Sequence, residues 1–137
     1  MNPPEKRKLR RTGPRDGLTA LASTVAELGD RERATVHFDE AEGIATRLVS
    51  MPCMENFAAQ DADYRERVLP AASRARVAVE AASPFGWREW VGDAGEIIGM
   101  ETFGASAPAG ALYKHFGFTP ERVADVGREV ARRVRSG

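Results

Sequence analysis

An α/β domain with a largely parallel sheet is what this sequence predicts, on three observations. Short apolar runs with β-branched residues, Ile44–Met51, Arg76–Glu80 and Ile97–Phe103, alternate with stretches of helical periodicity. Helix-start signals recur, first at Ser106 with Pro108 and again at Thr119, Pro120 and Glu121. Parallel neighbours also need a crossover connection, which a helix normally supplies, so alternation of this kind favours a parallel sheet with helices on its faces.

The elements follow in order. Leu18, Leu21, Val25 and Leu28 fall at three- and four-residue steps and predict a short helix over 17–28, interrupted by Gly29 and Asp30. Residues 31–42 are charged and read as a solvated helix or an irregular link, closed by Gly43. Ile44–Met51 is a strand that Pro52 terminates. A helix is predicted over Asn56–Arg67, burying Phe57, Tyr64 and Val68, and Pro70 stops it. Arg76–Glu80 is the next strand, Ser83–Gly86 a turn, and Trp87–Val91 a short aromatic segment ahead of the turn Gly92–Gly95. Ile97–Phe103 is the last strand, broken by Gly104. Ser106 sits near an N-cap, where its hydroxyl can accept an orphan N–H, and Pro108 suits the first helical turn. Leu112 and Phe116 share a face, and Gly117 ends that helix. Val123, Val126, Val130 and Val134 then form a stripe along a final helix, with Arg122, Arg128, Arg132 and Arg133 on its solvent side.

Composition bounds the class. A chain of 137 residues, 42% hydrophobic and 29% charged, is that of one ordinary globular domain, and no apolar run approaches the length of a membrane span. No apolar segment follows the basic N-terminus as a secretory signal requires, so the expected compartment is the cytoplasm. Cys53 is the single cysteine and is expected to be a reduced thiol. The formal net charge of zero conceals an asymmetry: Lys6, Arg7, Lys8, Arg10, Arg11 and Arg15 face only Glu5 in the first fifteen residues. With Pro3, Pro4, Gly13 and Pro14 interspersed, that tail reads as disordered. It lacks the interleaved aromatics of a nucleic-acid arm, so no nucleic-acid partner is expected.

The run GMETFGASAPAGALYKHFGFT, Gly99 to Thr119, carries a specific resemblance. Together with VSMP (Val49–Pro52), YRERVLP (Tyr64–Pro70), ARVAVEA (Ala75–Ala81), Trp87 and the Val91-Gly92 pair, it resembles the C-terminal domain of transketolase over roughly the last hundred residues. The SAPA after Gly104 and the FGFT at Phe116–Thr119 favour that family over related thiamine-diphosphate enzymes. The resemblance implies a three-layer α/β sandwich with a mixed, mostly parallel sheet. It also implies a division at residue 40, with residues 1–39 unmatched and 40–137 forming the domain. Because the family's opening strand, similar to ATGSEV, is not found here, the sheet is expected to lack its first strand. ALAST at Ala20–Thr24 is a weak substitute.

By the same resemblance the parent protein is a homodimeric enzyme of the pentose phosphate pathway. It transfers a two-carbon ketol unit from a ketose phosphate to an aldose phosphate, using thiamine diphosphate and a divalent metal, magnesium or calcium. The chain would be a fragment holding only the last domain, inactive alone, whose partners are itself or the remaining transketolase domains. The alternative is a stand-alone accessory or anion-binding regulatory module that docks onto separately encoded catalytic domains.

No catalytic, cofactor or metal residue is carried over from the family. Gly92-Asp93-Ala94-Gly95 resembles a metal-binding GDG only superficially, since no asparagine follows it, and reads as a turn. His37 and His115 are expected to be non-catalytic. Trp87, Trp90, Phe85 and Phe103 read as core and interface rather than a ligand-stacking cluster. One weak site remains: Gly104, Ala105 and Ser106 follow a strand and precede a helix, where free N–H groups can hold an anion such as phosphate.

Overall fold

The structure, a computed structural model, describes residues 18–22 and 46–137. Four strands form one sheet in the order β2-β1-β3-β4, and every described pairing is parallel. Strand β1 is Leu18–Ala22, β2 Thr46–Ser50, β3 Arg76–Val79 and β4 Glu96–Ile98. Helices α1 (Met54–Ala58) and α2 (Ala62–Val68) lie between β2 and β3, α3 (Trp87–Val91) between β3 and β4, and α4 (Ala109–His115) and α5 (Pro120–Ser136) close the chain.

Strand alternation builds the layers. Successive side chains of a strand point to opposite faces. Val77 and Ile98 join Ala124, Val130 and Ala131 of α5 in one core, with Val79 packed against it. Ala78 joins Trp87, Trp90 and Val91 of α3 in the other, along with Val49, Met51 and Leu69, and Ile97 packs there. The sheet is thus covered on both faces, the arrangement expected for parallel strands. Trp87 is buried almost completely, and truncating so large a side chain typically costs about 3–5 kcal/mol.

The last helix follows its sequence signals. Thr119 is the N-cap, its Oγ1 accepting from the Arg122 N–H at 3.3 Å, and Pro120 occupies the first turn. All four valines of the stripe face the core, Val130 fully buried and Val123, Val126 and Val134 packed around it. Ala124, Gly127 and Ala131 are buried beside them, and such small residues let a helix approach a sheet closely.

Elsewhere the structure differs from expectation in three places. Leu18–Ala22 is a strand rather than part of a helix, and it stands between β2 and β3, pairing with both. It overlaps the segment at Ala20–Thr24 that the sequence offers as a weak substitute for the family's opening strand. The leucine spacing that suggested a helix continues to Val25 and Leu28, which lie outside the described residues, as do residues 1–17 and 23–45 with the basic tail and the link over 31–42. The single helix expected over 56–67 is two: Asp61 accepts from the Tyr64 N–H at 2.7 Å and caps a new start, and Tyr64 is left largely exposed. The strand expected to reach Phe103 ends at Ile98, and residues 101–108 are exposed irregular chain.

Arginine side chains tie the loops to the sheet. Arg76, at the start of β3, donates from Nε to the Ser73 carbonyl (2.7 Å) and from its two terminal nitrogens to the carbonyls of Trp90 (2.7 Å) and Pro70 (2.8 Å). Partial burial pushes its pKa below the usual arginine value, and the Glu66 carboxylate acts in the opposite direction. Glu66 in turn accepts from the Ala71 N–H. Loss of the guanidinium removes a donor from all three carbonyls, of which that of Pro70 keeps the Ser73 N–H at 2.9 Å. Arg76→Met is therefore expected to lower the unfolding free energy by about 2–3 kcal/mol in urea denaturation, with an unchanged dependence on denaturant.

Candidate functional site

The carboxyl ends of parallel strands are where open α/β sheets hold what they bind. Here β3 and β4 run out into neighbouring loops. The Met100 N–H donates to the Ala82 carbonyl at 2.8 Å, and Gly99 lies so close to Pro84 that an added Cβ would come within 3.1 Å of the proline ring. Beyond this contact lies a groove of about 230 Å³. Ala81 and Met100 contribute from the strand ends, Gly104 and Ala105 from the exposed loop, and Leu112, Tyr113 and Phe116 from α4, with Phe118 behind.

Local structure explains how these residues converge. Helix α4 ends in a Schellman motif: the Phe118 N–H donates to the Tyr113 carbonyl (2.7 Å) and the Gly117 N–H to the Lys114 carbonyl (3.3 Å). Gly117 has φ of 79° as that motif requires, so the expectation that it ends the helix holds. The turn swings Phe118 back onto Tyr113, the two rings meeting edge to face at 6.1 Å. Every group lining the groove is apolar apart from the tyrosine hydroxyl and backbone.

The residues singled out from sequence fall as follows. Gly104 and Ala105 line the groove, and Ser106 follows them in the exposed loop. Ser106 is not a cap. Pro108 takes the N-cap position in an extended conformation (ψ 139°) with no side-chain hydrogen bond, so the helix starts too late for the serine hydroxyl to serve it. Gly104 is not among the glycines with positive φ, and an added Cβ there meets nothing within 4 Å. Gly92–Gly95 is a turn: Arg88 donates to the carbonyls of Gly92 (3.1 Å) and Gly95 (3.0 Å), and Arg133 to that of Ala94 (3.0 Å). Gly95 is pressed against Val91 and the Arg76 carbonyl, where a Cβ would come within 2.8 Å. His115 is exposed beside the Phe116 ring, and His37 lies outside the described residues. The Cys53 thiol is half-buried and donates to Glu55 at 3.4 Å. The Glu55 carboxyl is held below the usual carboxylate range by its own backbone N–H and then by that thiol.

Among the described residues, no three His, Cys, Asp or Glu side chains converge as metal ligands. The aromatic residues divide. Trp87 and Trp90 are core, whereas Phe85 is 91% and Phe103 98% exposed, on the two loops that leave β3 and β4.

Comparison with known proteins accounts for this architecture. The family described as Transketolase-like TK C-terminal domain matches residues 12–119. The chain belongs to the transketolase C-terminal domain family. A transketolase from Sinorhizobium medicae is 47% identical over 124 residues, covering 90% of this chain and 17% of that protein. The chromosomal transketolase of Cupriavidus necator is 50% identical over 108 residues, 79% of this chain and 16% of its own length. Among solved structures, a transketolase from Leishmania mexicana superposes with a TM-score of 0.74 at 44% identity, over 85% of this chain and 16% of that one. A Pichia stipitis transketolase solved with sedoheptulose-7-phosphate gives 0.75 at 29% identity, over 88% and 17%. The chain thus spans about a sixth of the transketolases it matches. The family match begins at residue 12, ahead of β1 and well upstream of residue 40, where the sequence motifs first became clear.

Tyr113, Met100 and Ala81 had no signal of their own in the sequence, because the groove draws on segments separated by more than thirty residues. Gly117→Ala should disturb it from a distance. The new methyl group would sit at positive φ and 3.0 Å from the Arg122 side chain. A loss of about 1–2 kcal/mol in stability is expected, with chemical-shift changes concentrated at Tyr113 and Phe118 in NMR spectra.

Proposed function

We propose that this chain serves as the C-terminal structural and dimer-contact domain of a transketolase. The full enzyme of that family transfers a two-carbon ketol unit from a ketose phosphate to an aldose phosphate, with thiamine diphosphate and a divalent metal, in the cytoplasm. The observation that carries the reading is the apolar groove with exposed Phe85 and Phe103 at the carboxyl end of the sheet, in a chain that matches about a sixth of its relatives' length. Large exposed aromatic rings beside an apolar groove suit contact with another protein surface. The Pichia stipitis relative solved with sedoheptulose-7-phosphate supports a sugar phosphate as the parent enzyme's substrate class.

On this reading the chain contributes packing and leaves the chemistry to domains it does not contain. An accessory module docking onto separately encoded catalytic domains would use the same apolar face. Its Gly104–Ser106 loop would then be the place to seek an anion. Copurification with a thiamine-diphosphate-binding polypeptide from the native cell separates this second reading from the first.

The purified chain, supplied with thiamine diphosphate, magnesium, a ketose phosphate and an aldose phosphate acceptor, is expected to give no ketol transfer above a protein-free blank. Turnover by the chain alone in a coupled spectrophotometric assay would contradict the proposal.

A further inference from the structure

We propose that the Phe103–Gly104 bond is a processing site, cut by an endopeptidase of chymotrypsin-like preference, and that the two pieces stay joined as one folded unit. Hydrolysis breaks the amide between the Phe103 carbonyl carbon and the Gly104 nitrogen. Water is the only co-reactant, giving its hydroxyl to that carbon and its proton to that nitrogen.

Such an enzyme needs an aromatic side chain free to enter its hydrophobic slot, and flanking backbone free to lie extended along its cleft. Phe103 meets the first need, being 98% exposed. Its flanks meet the second. Residues 101–111 are all exposed, and residues 101–108 belong to no helix or strand. The Met100 N–H still donates to the Ala82 carbonyl (2.8 Å), and the next main-chain bond is from the Ala111 N–H to the Pro108 carbonyl (2.9 Å). Among the described residues, no backbone hydrogen bond holds residues 101–107. A Cβ added at Gly104 meets nothing within 4 Å, so the chain beside the bond is open as well. Exposed loops without such ties are where nicking concentrates.

The other exposed aromatics are held in place. Phe85 is 91% exposed, but its N–H donates to the Ser83 Oγ (3.3 Å) and the Trp87 N–H to the Pro84 carbonyl (3.2 Å). Gly86, which would follow the cut, caps α3 at φ 83°, and Trp87 after it is 1% exposed. Tyr64 lies within α2. Cutting at either residue requires an element to open first.

The pieces have reason to stay together. Val77 and Ile98 before the cut share one core with Ala124, Val130 and Ala131 after it. Arg133 also reaches back to the Ala94 carbonyl (3.0 Å) and to Glu96 (3.2 Å). Burial of this kind does not require covalent continuity, and the cut removes only the effective concentration that the link supplies. A new carboxylate and a new ammonium group then appear beside the groove that Gly104 and Ala105 line. Processing thus alters the apolar face and spares the sheet.

Brief digestion of the intact chain with chymotrypsin, followed by mass spectrometry and by size exclusion at micromolar concentration, tests both parts. The bond after Phe103 is expected to be cut about tenfold or more faster than the bond after Phe85. The products should elute together at the volume of the uncut chain and separate only in denaturant. Phe103→Ser should abolish this cut and Phe103→Tyr retain it, with circular dichroism unchanged in both. Equal or faster cutting after Phe85, an intact bond after Phe103, or pieces that part without denaturant overturns the proposal. The digestion is a property of the chain by itself, so ketol transfer by the chain would sink the functional reading and leave this result standing.

Discussion

Strand β3 is buried on both faces, and the rest of the molecule is arranged around that constraint. Val77 and Ala78 are almost wholly removed from water, one toward α5 and the other toward α3. A strand in that position needs apolar side chains at consecutive positions and a helix layer on each side. It also needs a pairing partner at each edge, because buried backbone groups left unpaired are costly. β1 and β4 supply those partners, in register from Thr19 opposite Arg76 and from Val77 opposite Glu96. The helices follow from the same requirement: α3 is the crossover from β3 to β4, and α5 returns across the opposite face.

Short elements of this kind need their ends fixed, and arginine does much of it. Arg76 gathers carbonyls from the loop before β3 and from the end of α3, while Arg88 and Arg133 hold the turn that leads into β4. A guanidinium presents several donors in a fixed planar fork, so one side chain can satisfy carbonyls from separate segments. The opposite end of the sheet is built differently. There the loops carry Phe85 and Phe103 outward, and the groove behind them is apolar. One end of the sheet is closed by polar clasps, and the other carries an apolar groove and exposed rings.

How much of this was legible depended on whether the signal was local. The final helix was, because Thr119, Pro120 and the four valines each state a local preference that packing then agrees with. Gly117 was legible for the same reason, since only a residue tolerant of positive φ ends a helix in that way. β1 was not: LTALA carries leucines at helical spacing, and its extended form comes from two neighbouring strands that the sequence places 24 and 54 residues beyond its end. The break at Asp61 was missed because a capping aspartate inside a polar stretch looks like any solvated residue. The near-complete exposure of Phe103 depends on where β4 stops, which no local signal marks. Strand–helix alternation pointed to a parallel sheet, and resemblance to the transketolase C-terminal domain added the three-layer arrangement.

The pairing of β1 between β2 and β3 is the feature on which the sheet most depends, and amide hydrogen exchange measured by NMR addresses it most directly. Thr19 to Ala22 should exchange slowly, with protection comparable to that of Val77 to Val79, because a central parallel strand opens only when the sheet does. Free exchange along β1 with protection retained in β3 and β4 would contradict the four-stranded sheet, and would mean that the domain stands without the strand at its centre.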